Sequence, residues 1–344
     1  MKSIILYIAL FLSVFIFNSC EKEIEFNGEI TAPLLVVNSY ITPDSVVSAH
    51  VSESRFFLKD SITYRNVDNA EVAVWVNGTL KEKMTLTEKG MYRGTYTPAV
   101  GEIIKLVVNV PTINEVTSEA LMYARPVINS VDTVNIWTGK QYQVQTIGYS
   151  NGNGTTVYRT DTMEIKDGHT IEYTLKFNDN AREKNYYRLI VVSTSHYTNT
   201  DTITNITYEN EQDLYSFNFT DVVSGNNSNT DPLSFEGSAY NPYCIFSDEL
   251  FNGKTYPLTF STSEDIYTYM PPYGRTIKPD RKKIRIYLQS ISKDYYLYLK
   301  SRVASADVNF FSEQVQIHNN IVGGVGILGS YTASDAFVID LQVK

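Results

Sequence analysis

Apolar and polar positions alternate along most of the chain, and this two-residue period predicts β-strands. Val, Ile, Thr and Tyr dominate the alternating stretches, as is typical of half-buried sheet surfaces. In the first part these stretches cover residues 34–41, 46–56, 70–76, 79–87, 90–98 and 101–111. Asn77-Gly78 is the strongest two-residue signal for a hairpin turn. Six or seven short strands at this spacing predict an immunoglobulin-like or fibronectin-like sandwich over residues 33–125.

The alternating pattern continues beyond Pro126, which we take as a domain boundary. We expect residues 126–344 to form a larger antiparallel β domain, built as a sandwich or as a barrel. Residues 292–305 depart from the pattern, because their apolar side chains recur with a helical spacing and Ser292 stands at the N-cap position. The sequence therefore predicts an all-β protein that carries one main helix.

An apolar run at residues 4–17 follows Lys2 at the start of the chain. A run of this length is typical of a secretory signal peptide and is shorter than the roughly 20 residues that a membrane-spanning helix needs. Ser19-Cys20 ends the segment and resembles the lipobox of bacterial lipoproteins, whose cysteine is acylated after cleavage. We therefore predict a signal peptide over residues 1–19 and lipidation of Cys20. The alternative is an ordinary signal peptide with a chance cysteine.

Two acidic residues, Glu21 and Glu23, follow the predicted anchor. They resemble the export signal that directs Bacteroidota lipoproteins to the outer leaflet of the outer membrane. We expect residues 20–32 to form the lipid anchor and an acidic tether. Several acyl chains hold such a protein firmly in the membrane, because each buried methylene contributes about 0.8 kcal/mol. The expected location is the outer membrane, with the protein facing the cell exterior.

The mature chain is acidic and has one free thiol. Removing Lys2 from the 29 basic residues leaves 28 against 38 acidic residues, a formal net charge of −10. An acidic chain of this kind argues against nucleic acid and against anionic lipid headgroups as partners. The chain has two cysteines, and acylation of Cys20 leaves Cys244 without a second thiol to pair with. We therefore expect no disulfide within the mature chain. We interpret Cys244 as a small buried apolar residue.

Four glycines near the C-terminus raise the question of a dinucleotide site. Gly324, Gly326 and Gly329 have the G-x-G-x-x-G spacing, and Gly323 precedes them. That fingerprint requires a following helix and an acidic residue about 20 positions further on, whereas only 15 residues follow Gly329. We therefore interpret all four glycines as structural residues that permit positive φ, a bulge or close backbone approach. No cofactor is expected.

Signatures of catalysis and of metal binding are also missing from the sequence. The four histidines form no H-E-x-x-H pair, and the chain contains neither a C-x-x-C nor a G-x-S-x-G motif. Residues 178–183 offer side-chain oxygens that fit either a calcium site or an Asx-rich turn, and we prefer the turn. We therefore expect a protein that is not an enzyme and binds no metal.

Aromatic residues supply the candidate contact positions. Tyr267, Tyr269 and Tyr273 lie in the stretch IYTYMPPYG, an apparent loop that also contains two prolines. Exposed tyrosines stack on sugar rings or peptide side chains, or anchor a protein interface. We name these three residues as possible contacts of a ligand or a partner. Packing within the sheet is the alternative.

An ordered series of phrases resembles one protein family. The phrases include LLVVNSYITP, NAEVAVWVNG, LKFNDNAREKNYYRLIV, ISKDYYLYLKS and NNIVGGVGILGSY, after Cys20 and its acidic neighbours. Over nearly the whole mature chain the sequence is similar to the Bacteroidota outer-membrane lipoproteins catalogued as domain-of-unknown-function family 4249. Members of that family tend to be encoded beside TonB-dependent outer-membrane receptors. No catalytic residues are established for the family.

The resemblance implies a function in nutrient uptake. We expect a surface-exposed lipoprotein that binds a TonB-dependent outer-membrane receptor as an accessory and helps to capture or admit a nutrient. The alternative is a free-standing binding or adhesion module for a glycan, a peptide or a host surface. Exposed aromatic residues in a concave site favour ligand capture, whereas a flat apolar face favours docking on a receptor.

Overall fold

The computed structural model describes residues 32–54, 65–111, 113–150, 152–200, 207–215, 217–224, 241–264, 266–269, 275–277, 281–306 and 316–342. Strands make up 61% of the structure and helices 8%. The predicted all-β class with one main helix is therefore confirmed.

A first sandwich occupies the N-terminal part. Its strands are β1 (Leu35–Ile41), β2 (Ser48–Glu53), β3 (Arg65–Asn66), β4 (Glu71–Val76), β5 (Thr79–Lys83), β6 (Thr85–Glu88), β7 (Met91–Arg93), β8 (Ile103–Val110) and β9 (Ile113–Leu121). The sheet β5-β4-β8-β9 packs against the sheet that contains β1, β2, β6 and β7. Asn77 and Gly78 have φ angles of 48° and 81° and form the predicted tight turn between β4 and β5.

A second sandwich follows in the chain. The remaining strands are β10 (Ile128–Ser150), β11 (Thr156–Asn178), β12 (Tyr186–Thr200), β13 (Thr207–Leu214), β14 (Ile245–Ser247), β15 (Thr255–Ser263), β16 (Ile266–Tyr269), β17 (Arg275–Ile277), β18 (Arg281–Ile291), β19 (Val325–Ala333) and β20 (Phe337–Gln342). Side chains of β11 and β15 form one core with those of β12 and β18. Phe177 and Tyr187 meet there edge to face, with ring centroids 5.1 Å apart. Such pairs contribute about 0.5–1.5 kcal/mol beyond the burial of their area.

Strand β19 joins the two sandwiches. It pairs in parallel with β1, and its Leu328 is buried in the core of the first sandwich. Thr117 of β9 and Val322 exchange two backbone hydrogen bonds, of 3.1 and 2.8 Å. One eleven-stranded sheet therefore continues through both sandwiches. Eight of its strands follow the order β13-β12-β18-β19-β1-β2-β7-β6, and β14, β20 and β3 pair beside this path with β12, β18 and β2. Residues 321–330, which the sequence placed with the second domain, complete the first.

The predicted helix is α1 (Lys293–Ala306). Ser292 caps it, because its Oγ accepts hydrogen bonds from the backbone N–H groups of Tyr295 at 3.3 Å and Ser330 at 3.2 Å. Tyr295 and Leu299 form the buried face of the helix. The cap therefore fixes both the start of α1 and its position on β19.

Candidate functional site

The described part of the chain begins at Ala32, close to the start of β1. Cys20, Glu21 and Glu23 lie outside the described residues. Leu35 of β1 and Val325 of β19 lie at the same end of the eleven-stranded sheet. We call this end the foot, because the segment that follows the predicted anchor leads into β1 there. Across the described ranges, we find no helix with both the length and the apolar character needed to cross a membrane.

The strands lead from the foot to the opposite end of the molecule. Ile291 of β18 pairs with Tyr331, six residues beyond Val325 along β19. The pairing of β12 with β18 begins at Tyr186, which stands opposite Ile291. Strand β12 ends at Thr200, fourteen residues further along the chain. At about 3.3 Å per residue, the end of β12 lies roughly 65 Å from the foot along the strands. We call the end of the molecule where β12 ends and β13 begins the distal end.

The hairpin β10–β11 points toward the distal end as well. Near its base Asp179 accepts a hydrogen bond of 2.6 Å from the hydroxyl of Tyr187, the second residue of β12. Ten residues earlier, the carbonyl of His169 accepts a hydrogen bond of 2.8 Å from the N–H of Glu264. Glu264 in turn forms an ion pair with Lys282, at the distal end of β18. Strand β11 therefore starts beyond the end of β18 and runs back toward the foot.

The outer part of this hairpin is a two-stranded ribbon. Residues 142–150 pair with residues 156–164, and within the described ranges these two segments have no other strand neighbour. Nine residues at about 3.3 Å give a projection of roughly 30 Å. Isolated two-stranded hairpins are marginally stable in water, and unpaired edges are templates for binding another chain. The ribbon therefore offers both of its edges to a partner.

One face of the ribbon exposes apolar side chains. Tyr142, Val144 and Tyr158 lie on the same face by the register of the ladder, and they are 58%, 65% and 72% exposed. Between them the hydroxyls of Thr146 and Thr160 are hydrogen-bonded at 2.9 Å. We call Tyr142, Val144 and Tyr158 the ribbon face. Tyrosine rings of this kind are enriched at protein interfaces.

Two of the three candidate tyrosines lie at the same end of the molecule. Tyr267 and Tyr269 belong to β16, whose pairing with β11 at Lys166 and Asp167 places it at the base of the ribbon. Tyr273 lies outside the described residues. The structure thus places two of the three candidates in a strand, where the sequence analysis expected a loop.

The four C-terminal glycines lie at or near the β1–β19 pair, away from the distal end. Gly326 has a φ of 124°, and a Cβ added to it would be 2.1 Å from the carbonyl oxygen of Val37 in β1. The other three would each place a Cβ within 3.0 Å of a neighbouring group: Gly323, Gly324 and Gly329. The strand β19 contains two of them, Gly326 and Gly329, and is followed by another strand, β20. Close packing against β1 therefore accounts for the glycine at position 326.

The outer face of the second sandwich carries a charged depression of about 300 Å³. Arg281, Lys283 and Arg285 of β18 line it together with side chains from β12, β13 and β20. The depression lies at the distal end, because β18 starts there. It combines positive and negative groups and is open to solvent.

The Tyr173 hydroxyl and the Cys244 thiol, both inside the second sandwich, remain neutral at physiological pH. Burial raises the pKa of the Tyr173 hydroxyl to about 12, and this hydroxyl lies 3.1 Å from that of Thr262. Burial also raises the pKa of the Cys244 thiol to about 11. The Cys244 thiol is therefore protonated and buried, which agrees with its interpretation as a packing residue.

The oxygen atoms of residues 178–183 make contacts within the protein. Asp179 accepts a hydrogen bond of 2.7 Å from the N–H of Gly253, besides the bond from Tyr187. Asn178 accepts a hydrogen bond of 2.7 Å from the hydroxyl of Thr255. In the part of the chain that the structure describes, no three His, Cys, Asp or Glu side chains are grouped as metal ligands.

Two β-sandwiches that share one sheet, with a foot at the N-terminal side and three hairpins at the other end, define an elongated all-β protein. The chain belongs to the family described as Domain of unknown function (DUF4249), whose model matches residues 21–336. The predicted family is therefore confirmed. Comparison with curated proteins gave no match, and comparison with solved structures gave none.

Sequence reasoning missed both the ribbon face and the charged depression. For the depression a signal was present, because Arg281, Lys283 and Arg285 alternate along a strand and so point to one side. For the ribbon the alternation of apolar residues looked like that of any half-buried strand. Only the pairing partners of β10 and β11 distinguish an exposed two-stranded ribbon from strands that are half-buried in a larger sheet.

Proposed function

We propose that this chain is a lipoprotein of a Bacteroidota outer membrane, anchored through Cys20 and displayed at the cell surface. In this proposal it acts as an accessory binding protein of a TonB-dependent nutrient transporter. The signal-peptide pattern, the acidic residues Glu21 and Glu23 and membership of the DUF4249 family support it. The observation that carries the proposal is the separation of the foot from the distal end.

Anchoring near the foot leaves the distal end accessible. Fourteen residues lie between Cys20 and Leu35, and such a segment spans at most about 50 Å. The end of β12 lies roughly 65 Å beyond the foot, and the ribbon extends further. A chain standing on its foot therefore presents the ribbon face to molecules outside the membrane.

The ribbon face has the chemistry of a docking surface. Its two tyrosines offer large rings with few rotatable bonds, so ordering them on binding costs little conformational entropy. The positions Val144, Thr146, Tyr158 and Thr160 carry no charge, whereas Glu164 stands opposite Tyr142 in the ladder, at the base of the ribbon. An aromatic strip on a projecting ribbon fits a partner protein with an apolar groove.

The second candidate is a free-standing binding or adhesion module for a glycan, a peptide or a host surface. The length of the ribbon favours it, because a projection of roughly 30 Å reaches such a target without any transporter. Both candidates use the distal end. They differ in whether a second membrane protein accompanies the chain.

Purification of the native protein from its own outer membrane in mild detergent tests the proposal. We expect a large β-barrel transporter to co-purify with the wild-type chain. In the variant Y142T/V144T/Y158T the amount that co-purifies should fall about tenfold or more, because aromatic anchors dominate interface energies. The three positions are exposed, so the free energy of unfolding should change by no more than about 0.5 kcal/mol.

The variant L80T/L86T is the matched control. It removes two exposed apolar side chains from the first sandwich, and it should retain the transporter. Recovery of the wild-type chain without a transporter would contradict the accessory function and favour the free-standing module. Equal recovery of the transporter with the ribbon variant would show that docking uses another surface.

A further inference from the structure

Three cations of β18 point to one side of the sheet at the distal end. Arg281, Lys283 and Arg285 line the depression of about 300 Å³, whereas Ile284 between them is buried in the core. The pleat of the strand causes this division, since successive side chains point to opposite faces about 3.3 Å apart. Lys282 is paired with Glu264, so its charge is already compensated. Positive charge is thus concentrated locally in an acidic chain.

Arg285 is held in place by its neighbours. Its Nη2 donates a hydrogen bond of 2.8 Å to Oγ1 of Thr194 and another of 3.3 Å to the carboxylate of Asp213. The hydroxyl of Thr194 donates to the same carboxylate at 2.5 Å. This network fixes one wall of the depression and neutralises the charge of Arg285.

Arg281 and Lys283 are left with their charges uncompensated. Among the described residues neither side chain forms a hydrogen bond or an ion pair. Lys283 stands opposite Asp340 of β20 in the ladder, yet these side chains do not form an ion pair. Two cations about 7 Å apart on one face can hold the two oxygens of a carboxylate or the oxygens of a sulfate by charge-assisted hydrogen bonds.

Carboxylates flank these two cations. Glu211 of β13 lies on one side, in register with His196 of β12, and Asp340 of β20 lies on the other. A ligand with an extended anionic group would bring negative charge close to Glu211 and Asp340, and these carboxylates would repel it. A ligand that carries a compact anionic group and hydroxyl donors around it satisfies both the cations and the carboxylates.

We infer that the depression binds an acidic sugar. The carboxylate or sulfate group lies between Arg281 and Lys283, and hydroxyl groups of the ring donate hydrogen bonds to Glu211 and Asp340. This inference deepens the proposed function, on which it rests for its biological setting, because it names the class of ligand that the distal end captures. The site is open to water, so binding should weaken as the salt concentration rises.

Isothermal titration calorimetry on the acylated full-length chain in a nonionic detergent tests the inference. The probes are glucuronate, glucose 6-sulfate, inorganic sulfate and glucose. We expect at least one of the two acidic sugars to bind, inorganic sulfate to bind more weakly than that sugar, and glucose to give no heat of binding. The sugar that binds more tightly identifies the anionic group.

Variants at the two cations locate the site. In R281A/K283A the affinity for the acidic sugar should fall about tenfold or more, because two charge-assisted hydrogen bonds are lost. The charge-conserving variant R281K/K283R should retain most of the affinity. The control K89A/R93A removes two exposed charges from the first sandwich and should leave binding unchanged.

Several results would overturn the inference. These are an absence of binding by both acidic sugars, equal binding of glucose, equal binding of inorganic sulfate, and unchanged affinity in R281A/K283A. The titration involves neither a transporter nor a membrane. A titration that detects no binding of acidic sugars can therefore be distinguished from a purification in which the transporter does not co-purify.

Discussion

Replacing Gly326 by alanine is expected to lower the free energy of unfolding by about 3 kcal/mol or more. The added Cβ would lie 2.1 Å from the carbonyl oxygen of Val37, and the φ of 124° is unfavourable for any residue with a side chain. Because the obstructing atom belongs to the backbone of β1, the neighbour cannot move aside by changing a rotamer. The parallel β1–β19 pair has to separate, and this pair links the two sandwiches.

Urea denaturation of the full-length chain in nonionic detergent, followed by circular dichroism, measures this loss. Gly101→Ala is the matched control, since Gly101 has a φ of 87° but no atom within 4 Å of an added Cβ. Backbone strain alone should cost the control about 1–2 kcal/mol. Equal losses in the two variants would contradict a close β1–β19 contact at Gly326.

Replacing Cys20 by serine is expected to release the protein from the membrane completely. A serine hydroxyl cannot form the thioether to the lipid. The variant lacks the acyl chains, each of whose buried methylenes contributes about 0.8 kcal/mol to anchoring. Fractionation of cells should find the variant in the soluble fraction and the wild type in the membrane.

Cys244→Ser is the control for this experiment. It alters the second cysteine, which is buried and protonated, and it should leave the chain in the membrane. Intact mass should show acyl chains on the wild type and on this control, but not on the Cys20 variant. Membrane association of the Cys20 variant, or a wild-type mass without acyl groups, would end the lipoprotein proposal.

Local signals in the sequence predicted the local structure. Asn77-Gly78 indicated a tight turn because both residues tolerate positive φ, and the structure has that turn. Ser292 indicated the start of a helix because its side chain satisfies a free N–H group in the first turn, and α1 begins at the next residue. In both cases a few adjacent residues determine the outcome.

Long-range pairing could not be predicted in this way. Strands β1 and β19 are separated by almost the whole chain, and nothing in their composition indicates that they lie side by side. The spacing of the glycines at 324 and 326 indicates structural residues, but their neighbour in β1 is not foreseeable from the sequence. A domain division drawn from linear order therefore placed residues 321–330 apart from the core that they complete.

The candidate site depends on the same long-range information. Tyr267 and Tyr269 were chosen for their aromatic character, and the structure places their strand beside β11. The ribbon face depends on the register, in which residues 142–150 have one strand neighbour among the residues that the structure describes. Exposure, rather than residue type, distinguishes Tyr158 from the buried Tyr173 in the same strand.

Labelling of a single cysteine at the tip of the ribbon in intact cells tests most directly whether the distal end faces the exterior. Thr155 is exposed between β10 and β11. In the variant T155C the Cys244 thiol is buried, and in the proposed lipoprotein the Cys20 thiol is acylated. A membrane-impermeant maleimide should modify T155C in intact cells and leave the wild type unmodified. Modification of T155C only after the outer membrane is broken would show that the ribbon faces the periplasm and would contradict surface display.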